Sequence, residues 1–315
     1  MVSRMVDLEY LNKISLVSNP LIQRAIARIV LLPNFEIFRQ VEITIENMEN
    51  IPCRENVIFA MNHTDRFNYW PFQYKLWRLK LFPYTTVWVK GKYYRNAFLA
   101  KGLDSCNLIP VPSMGYLIEE FYRKKFHKRI DKEIYRKIRD VVDDKESDPE
   151  TYARDVEETA KLFGDHFVAF IRDYYEKLMS RVAELSILAL FEKGLSLIIF
   201  PEGTRAAQLG YGRTGIAQVA LCTGKAVIPV GCNNSDTIYP GSSPFAKSGR
   251  VIYRVGEPLT MDHHLKEFKI SNTFSLLSRE SQRKYGKQFE GATRVIMDRI
   301  NALLDEPYRK SPTRA

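Results

Sequence analysis

The sequence predicts an α/β fold: a mostly parallel central sheet flanked by helices, with an N-terminal amphipathic helix pair and a helical insertion. Three observations lead there. Six short runs read as strands, and several are continuously apolar, as strands covered on both faces must be. The segments between most of them suit crossover helices. From Gly115 to about Phe191 the strand signal stops and helical patterning takes over.

In chain order, the helix pair comes first. Leu8, Leu11, Ile14, Leu21, Ile22, Ile26, Ile29 and Val30 recur at roughly helical spacing, and Asn19-Pro20 divides the run in two. Such helices pack on the protein's own core or lie in a membrane interface, and periodicity alone favours the core. The strands are expected at 57–61, 86–89, 107–111, 196–200, 226–230 and 250–255, with crossover helices at about 72–80, 93–101 and 214–223. Pro229 interrupts the fifth strand, which marks a bulge or an edge. The insertion, 115–194, reads as a helical hairpin whose solvated turn lies at 143–150. Beyond Leu259 the chain is expected to be helical again, with 289–304 amphipathic and the last residues, 307–315, a frayed tail. The whole reads as a single domain: helices over 1–50, an α/β core from 51–114 and 195–260, the insertion, and C-terminal helices over 261–315.

Composition narrows the function. Hydrophobic residues at 45% and charged residues at 27% are ordinary for a globular chain, which excludes disordered, collagen-like and polytopic membrane classes. Four cysteines lie far apart with no C-x-x-C pair, so reduced thiols are expected rather than a disulfide framework or a zinc site. No apolar run approaches the roughly 20 residues of a spanning helix. The N-terminal run is broken by Asp7, Glu9 and Lys13, unlike a signal peptide. Lys+Arg exceeds Asp+Glu by 47 to 37, and a net charge of +10 calls for an anionic partner.

That charge is unevenly spread. Residues 66–103 hold no Asp or Glu, yet carry Arg66, Lys92, six other cations and all three tryptophans. The mixture suits a bilayer interface facing anionic headgroups, a single-stranded nucleic-acid surface, or core aromatics with solvated cations. Acidic segments at 140–160 and the lack of a nucleic-acid-binding module argue against nucleic acid. A second acid-free run, Gly203 to Ser235, includes Arg205 and Arg213.

Both acid-free runs adjoin segments with chemical potential. Asn62-His63-Thr64-Asp65-Arg66-Phe67-Asn68 follows the first strand, at the strand end where α/β sheets place ligands. His63 is the natural general base at neutral pH. Phe200-Pro201-Glu202-Gly203-Thr204-Arg205 follows the fourth strand. There Gly203 permits close backbone approach, Arg205 offers a planar fork for phosphate, and Glu202 supplies an acceptor. Val227-Ile228-Pro229-Val230 forms the third segment.

In this order the three segments resemble the glycerolipid acyltransferases, typified by 1-acylglycerol-3-phosphate acyltransferases. The family's Asn-His-x4-Asp is matched by Asn62 and His63, its Phe-Pro-Glu-Gly-Thr-Arg without change by Phe200 to Arg205, and its apolar run around a proline by Val227 to Val230. A further family motif is loosely matched from Lys90 through Gly102 and Ile109. The resemblance covers about 55–260. It departs at Asn68, where the family has Asp, and in the long insertion. It implies transfer of a fatty acyl group from acyl-CoA or acyl-acyl-carrier protein to a lysophospholipid hydroxyl. His63 is the implied base, oriented by Asp65 or Asn68. Arg205 would hold the acceptor phosphate, Glu202, Gly203 and Thr204 would shape the pocket, and Arg66 and Lys92 would be further phosphate contacts. It implies no metal or resident cofactor. The implied partners are a phospholipid membrane surface on its cytoplasmic side, the two substrates and acyl-carrier protein. The alternative is a catalytically impaired, membrane-bound lipid-binding protein on the same fold.

Overall fold

The computed structural model describes residues 5–144 and 148–310. Along the chain these form α1 (Leu8–Asn12), α2 (Leu21–Ile26), β1 (Val41–Glu46), β2 (Ile58–Met61), α3 (Tyr69–Leu79), β3 (Thr85–Lys90), α4 (Ala97–Ser105), β4 (Leu108–Val111), α5 (Met114–Phe126), α6 (Lys132–Asp143), α7 (Pro149–Phe163), α8 (Phe167–Ile187), β5 (Ser196–Ile199), α9 (Gly215–Thr223), β6 (Val227–Asn233), α10 (Ser235–Ile238), β7 (Gly249–Val255) and α11 (Arg279–Ala302). They cluster into two compact units. One takes the described parts of Met1–Ile14, Val89–Gly102 and Pro110–Val182; the other takes Ser15–Trp88, Leu103–Ile109 and the described part of Ala183–Ala315.

The seven strands lie in the order β1-β7-β6-β2-β5-β3-β4. β1 and β7, β6 and β2, β2 and β5, and β5 and β3 pair parallel, while β6 and β7 run antiparallel. The α/β class with a mostly parallel sheet is therefore observed. β2, β5 and β6 are buried along their whole length, which is why their sequences are apolar without alternation. All six expected strands are present, and a seventh was not expected. β1 lies inside the stretch read as N-terminal helices, yet its Val-Glu-Ile-Thr-Ile-Glu alternates with the period of a strand, and it pairs with β7 from Val41↔Gly249 to Glu46↔Arg254.

Pro229 does not mark an edge, but it does sit at a bulge-like slip of register, where two β6 residues, Ile228 and Pro229, face three, Gly256 to Pro258. β6 lies between β2 and β7, and Pro229 sits where its second partner changes: Val227 bridges Leu259, while the ladder to β7 begins at Val230↔Val255. The absent N–H falls in that slip, where the second ladder is already interrupted. The Pro229 carbonyl accepts from Gly256 N at 2.8 Å.

Asn19-Pro20 does separate two helices, and Pro20 precedes α2 directly. Their environments differ. Leu11 and Ile14 are buried with the first, whereas α2 and the wider π-helical turns that extend it, Ala27–Leu31 and Pro33–Phe38, leave Leu21, Ile22, Ile29, Val30, Ile37 and Phe38 exposed. No helix among the described residues is long and apolar enough to cross a membrane. The aromatics of the acid-free stretch divide: Phe67, Tyr69, Phe72, Tyr74 and Tyr94 are buried, while all three tryptophans are half-buried. Beyond Leu259 the chain is mostly irregular until Ser278 caps α11, whose Phe289, Ala292, Ile296 and Ile300 form the buried stripe.

The insertion is four helices, α5 to α8, in place of the expected hairpin. The run at 121–140 is broken because His127 takes a left-handed conformation after α5 and the Asp131 side chain caps α6. Part of the expected turn, 145–147, and the end of the expected tail, 311–315, lie outside the described residues. Within this unit Phe163 stacks on Phe167 at 4.1 Å, and Phe121 meets Phe167, Phe170 and Tyr174 edge-on. Glu120 is buried and paired with Arg95 at 2.5 Å and Arg123 at 3.0 Å, which satisfies its charge.

Candidate active site

The sheet register assembles the site. β2 lies between β5 and β6, with Ala60 opposite both Ile199 and Pro229. Carried three residues beyond the pair Ala60↔Ile199, that register sets His63 level with Glu202. The Glu202 carboxylate indeed accepts from His63 N at 2.8 Å. On the other side, the Asn62 side chain closes a pair of hydrogen bonds with the Cys232 backbone: its Oδ1 accepts from Cys232 N at 2.7 Å and its Nδ2 donates to Cys232 O at 2.9 Å. Two of the chemically suggestive segments thus leave the adjacent parallel strands β2 and β5 at one end of the sheet, the end at which open α/β sheets bind ligands, while the third, Val227–Val230, lies within β6 beside β2.

The His63 ring is half-buried and stacks on Phe200, with centroids 4.2 Å apart and planes 23° from parallel. Its Nδ1 lies 3.3 Å from Asn68 Oδ1. Asn68 is fully buried at the start of α3, and three bonds hold its surroundings. Its Nδ2 donates to Asn62 O at 2.7 Å, Tyr253 Oη donates to its carbonyl at 2.6 Å, and the Asn62–Cys232 pair fixes Asn62 in turn. Because the amide nitrogen is committed to a carbonyl, the amide oxygen must face the ring, so Nδ1 carries the proton and Nε2 presents the lone pair.

Asp65, the other group expected to orient the imidazole, is buried and turned to the backbone. Its Oδ1 accepts from Phe67 N at 2.7 Å and its Oδ2 from Thr64 Oγ1 at 3.1 Å. Burial pushes its pKa up, and those hydrogen bonds offset only part of the rise. It shapes the turn that carries His63 into α3, and Asn68 is the group that faces the ring.

Glu202, expected among the substrate-binding groups, has both carboxylate oxygens on backbone N–H groups. It is buried, with Oε2 on His63 N and Oε1 on Gly210 N at 2.8 Å. Burial pushes its pKa up while the two N–H donors pull it back. Gly203 turns with φ +63°, in the left-handed region that favours glycine. Ala206 N donates to His63 O at 3.0 Å, which brings the Arg205–Ala206 backbone beside the imidazole residue. Thr204 and Arg205 are exposed, and Arg66 is half-buried with its guanidinium 6.0 Å from the Phe67 ring. Lys92 is exposed and belongs to the helical unit.

Sequence reasoning passed over Tyr253, and noted Arg213 only as a cation of the second acid-free run. Tyr253 steadies Asn68 from β7, a long-range contact with no local signature. Arg213 closes the loop after β5, its N donating to Pro201 O at 2.8 Å. No group of His, Cys, Asp or Glu among the described residues could hold a metal ion.

The chain matches no family model and no curated protein. Among solved structures it is similar to the 1-acyl-sn-glycerophosphate (LPA) acyltransferase of Thermotoga maritima. The likeness spans 88% of this chain and 78% of that one, with 15% identity and a TM-score of 0.41.

Proposed function

We propose that the protein is an acyltransferase that moves a fatty acyl group from a thioester, acyl-CoA or acyl-acyl-carrier protein, to a hydroxyl of a lysophospholipid such as 1-acylglycerol-3-phosphate. The observation that carries this reading is the His63–Asn68 contact at 3.3 Å, with His63 backed through its own N–H by the glutamate of Phe-Pro-Glu-Gly-Thr-Arg. Nε2 of His63 takes the proton of the acceptor hydroxyl as its oxygen attacks the thioester carbonyl. The tetrahedral intermediate collapses, the C–S bond breaks, and the leaving thiolate recovers the proton from the imidazolium. The products are the acylated lipid and a free thiol. No covalent acyl-enzyme and no metal enter this scheme. Arg205 binds the acceptor phosphate beside the imidazole.

The substrate is a lipid, so the reading includes work at a phospholipid membrane surface, on its cytoplasmic side. The exposed apolar residues of α2 and its π-helical extension, with Arg28 and Arg39 beside them, support that part.

The test is a purified assay with lysophosphatidate and both donors. His63→Ala is expected to lower kcat by about 100-fold or more, and near-wild-type turnover would remove the general base from the scheme. Asn68 favours a second reading, a lipid-binding protein without turnover. A neutral amide cannot balance an imidazolium as a carboxylate does. Liposome binding with no transfer from either donor would establish it.

A further inference from the structure

We infer that the helical unit carries a binding site of its own: a phenylalanine-lined groove between α5 and the α7–α8 turn that takes one long-chain fatty acid, its chain on the rings and its carboxylate on Lys124. The groove lies within that unit and does not depend on the acyltransferase reading.

The turn between α7 and α8 builds one wall. α7 ends at Gly164, whose φ of +97° suits glycine and strains any other residue. The Gly164 carbonyl accepts from Phe167 N at 3.1 Å, and Phe163 and Phe167 come face to face across the turn, 4.1 Å apart and 13° from parallel. α5 forms the other wall. Phe121 meets Phe167 and Phe170 edge-on at 6.1 and 5.5 Å, and Lys125 Nζ donates to Leu162 O at 2.6 Å, which ties the end of α5 to the end of α7. The groove so framed measures about 610 Å³, within the roughly 300–1,000 Å³ of small-molecule sites.

The lining fixes the class of ligand. Its apolar part is four phenylalanines, and no amide or hydroxyl side chain stands among the described lining residues to read the edge of a base or a sugar. Each ring already spends a face or an edge on another ring, Phe170 on Tyr174 at 5.7 Å included, which suits a flexible chain better than a stacked planar group. Of the four rings only Phe170 is exposed, at 48%. A bilayer would call for a broad exposed apolar face, whereas this one is sunk between helices. The polar lining groups, Lys124, Lys125, Asp165 and His166, are all exposed and therefore stand at the mouth. Lys124 makes no ion pair among the described residues, and the exposed Lys128 and Arg129 follow shortly after it. This excess of cations calls for an anionic head. The described lining cations next to the rings are ammonium point charges with no arginine fork, and Asp165 shares the mouth with them. A carboxylate with a single charge suits that balance better than a phosphate monoester with about −1.5 to −2.

Fluorescence titration of the whole chain with cis-parinaric acid, a fluorescent long-chain fatty acid, tests this. Wild type is expected to bind it saturably, and laurate to displace it. Dodecyltrimethylammonium, with the same chain as laurate and a cationic head, is expected to displace it about 10-fold less well. Lys124→Ala is expected to weaken binding by about 10-fold, and Phe170→Glu to remove one equivalent of it. Both side chains are exposed, so each variant should melt with wild type, which separates lost binding from lost fold. No saturable binding by wild type, wild-type affinity and stoichiometry in both variants, or equal displacement by the two dodecyl heads would overturn the inference. Stronger displacement by dodecyl phosphate than by laurate would overturn the carboxylate. Anionic vesicles that sediment wild type and not Phe170→Glu, with parinarate bound by neither, would make the groove a membrane contact instead.

Discussion

Asn68 decides how His63 can work. Its amide is locked by Asn62 O and the ring sits on its oxygen, so the residue selects a tautomer without supplying charge. Asn68→Ala should therefore lower kcat by about 100-fold or more while moving KM less, as steady-state kinetics will show. Asn68→Asp should not repair the departure from the family pattern. It would set a carboxylate oxygen where the amide now donates to a carbonyl at 2.7 Å, in a fully buried place. A loss of about 1–3 kcal/mol in thermal or denaturant unfolding is expected. Glu202 gives a pH signature. Burial raises its folded pKa above 4.5, so in the interval above that value the folded protein holds more protons than the unfolded chain. Its contribution is full below the unfolded pKa and is lost as pH rises through the folded one. Glu202→Gln removes that slope and turns an amide N–H toward a backbone N–H. The variant should be less stable throughout, with its deficit in melting temperature narrowing as pH rises above 4.5. A deficit that widens with pH would contradict the assignment.

At the scale of elements, three neighbouring strands carry the site, and Gly231 shows how tightly the next layer closes on them. A Cβ there would stand 2.7 Å from the Leu303 carbonyl oxygen, a backbone atom at the end of α11 that cannot swing aside. Gly231→Ala should lower stability by about 1–3 kcal/mol in thermal melts, by pushing that helix end off β6. β2, β5 and β6 were legible because burial on both faces leaves an apolar run. β1 was hidden because a short alternating strand directly follows an amphipathic stretch. The insertion was legible as helical but not as four helices. The left-handed His127 is a conformation that its residue type does not announce, although the Asp131 cap did stand in the sequence. At the site, the imidazole and the loop after β5 were legible from residue order. The choice between Asp65 and Asn68 was not, because it depends on how one turn spends its hydrogen bonds.

For the molecule as a whole, a net charge of +10 and the exposed Leu21, Ile29 and Phe38 frame the membrane proposal. Sedimentation with vesicles containing anionic lipid should recover the protein, less so at high salt. Ile29→Glu with Phe38→Glu should release it with little change in melting temperature, because both side chains already stand in solvent, at 71% and 73% exposure. Undiminished sedimentation of that double variant would move the membrane contact elsewhere. The central position of β2 has its own consequence for engineering. Its pairing is counted off residue by residue on both flanks, so adding or removing one amino acid within β2, β5 or β6 would invert the facing of everything downstream. A library of single-codon insertions should be blank at these three addresses, even where ordinary replacements survive.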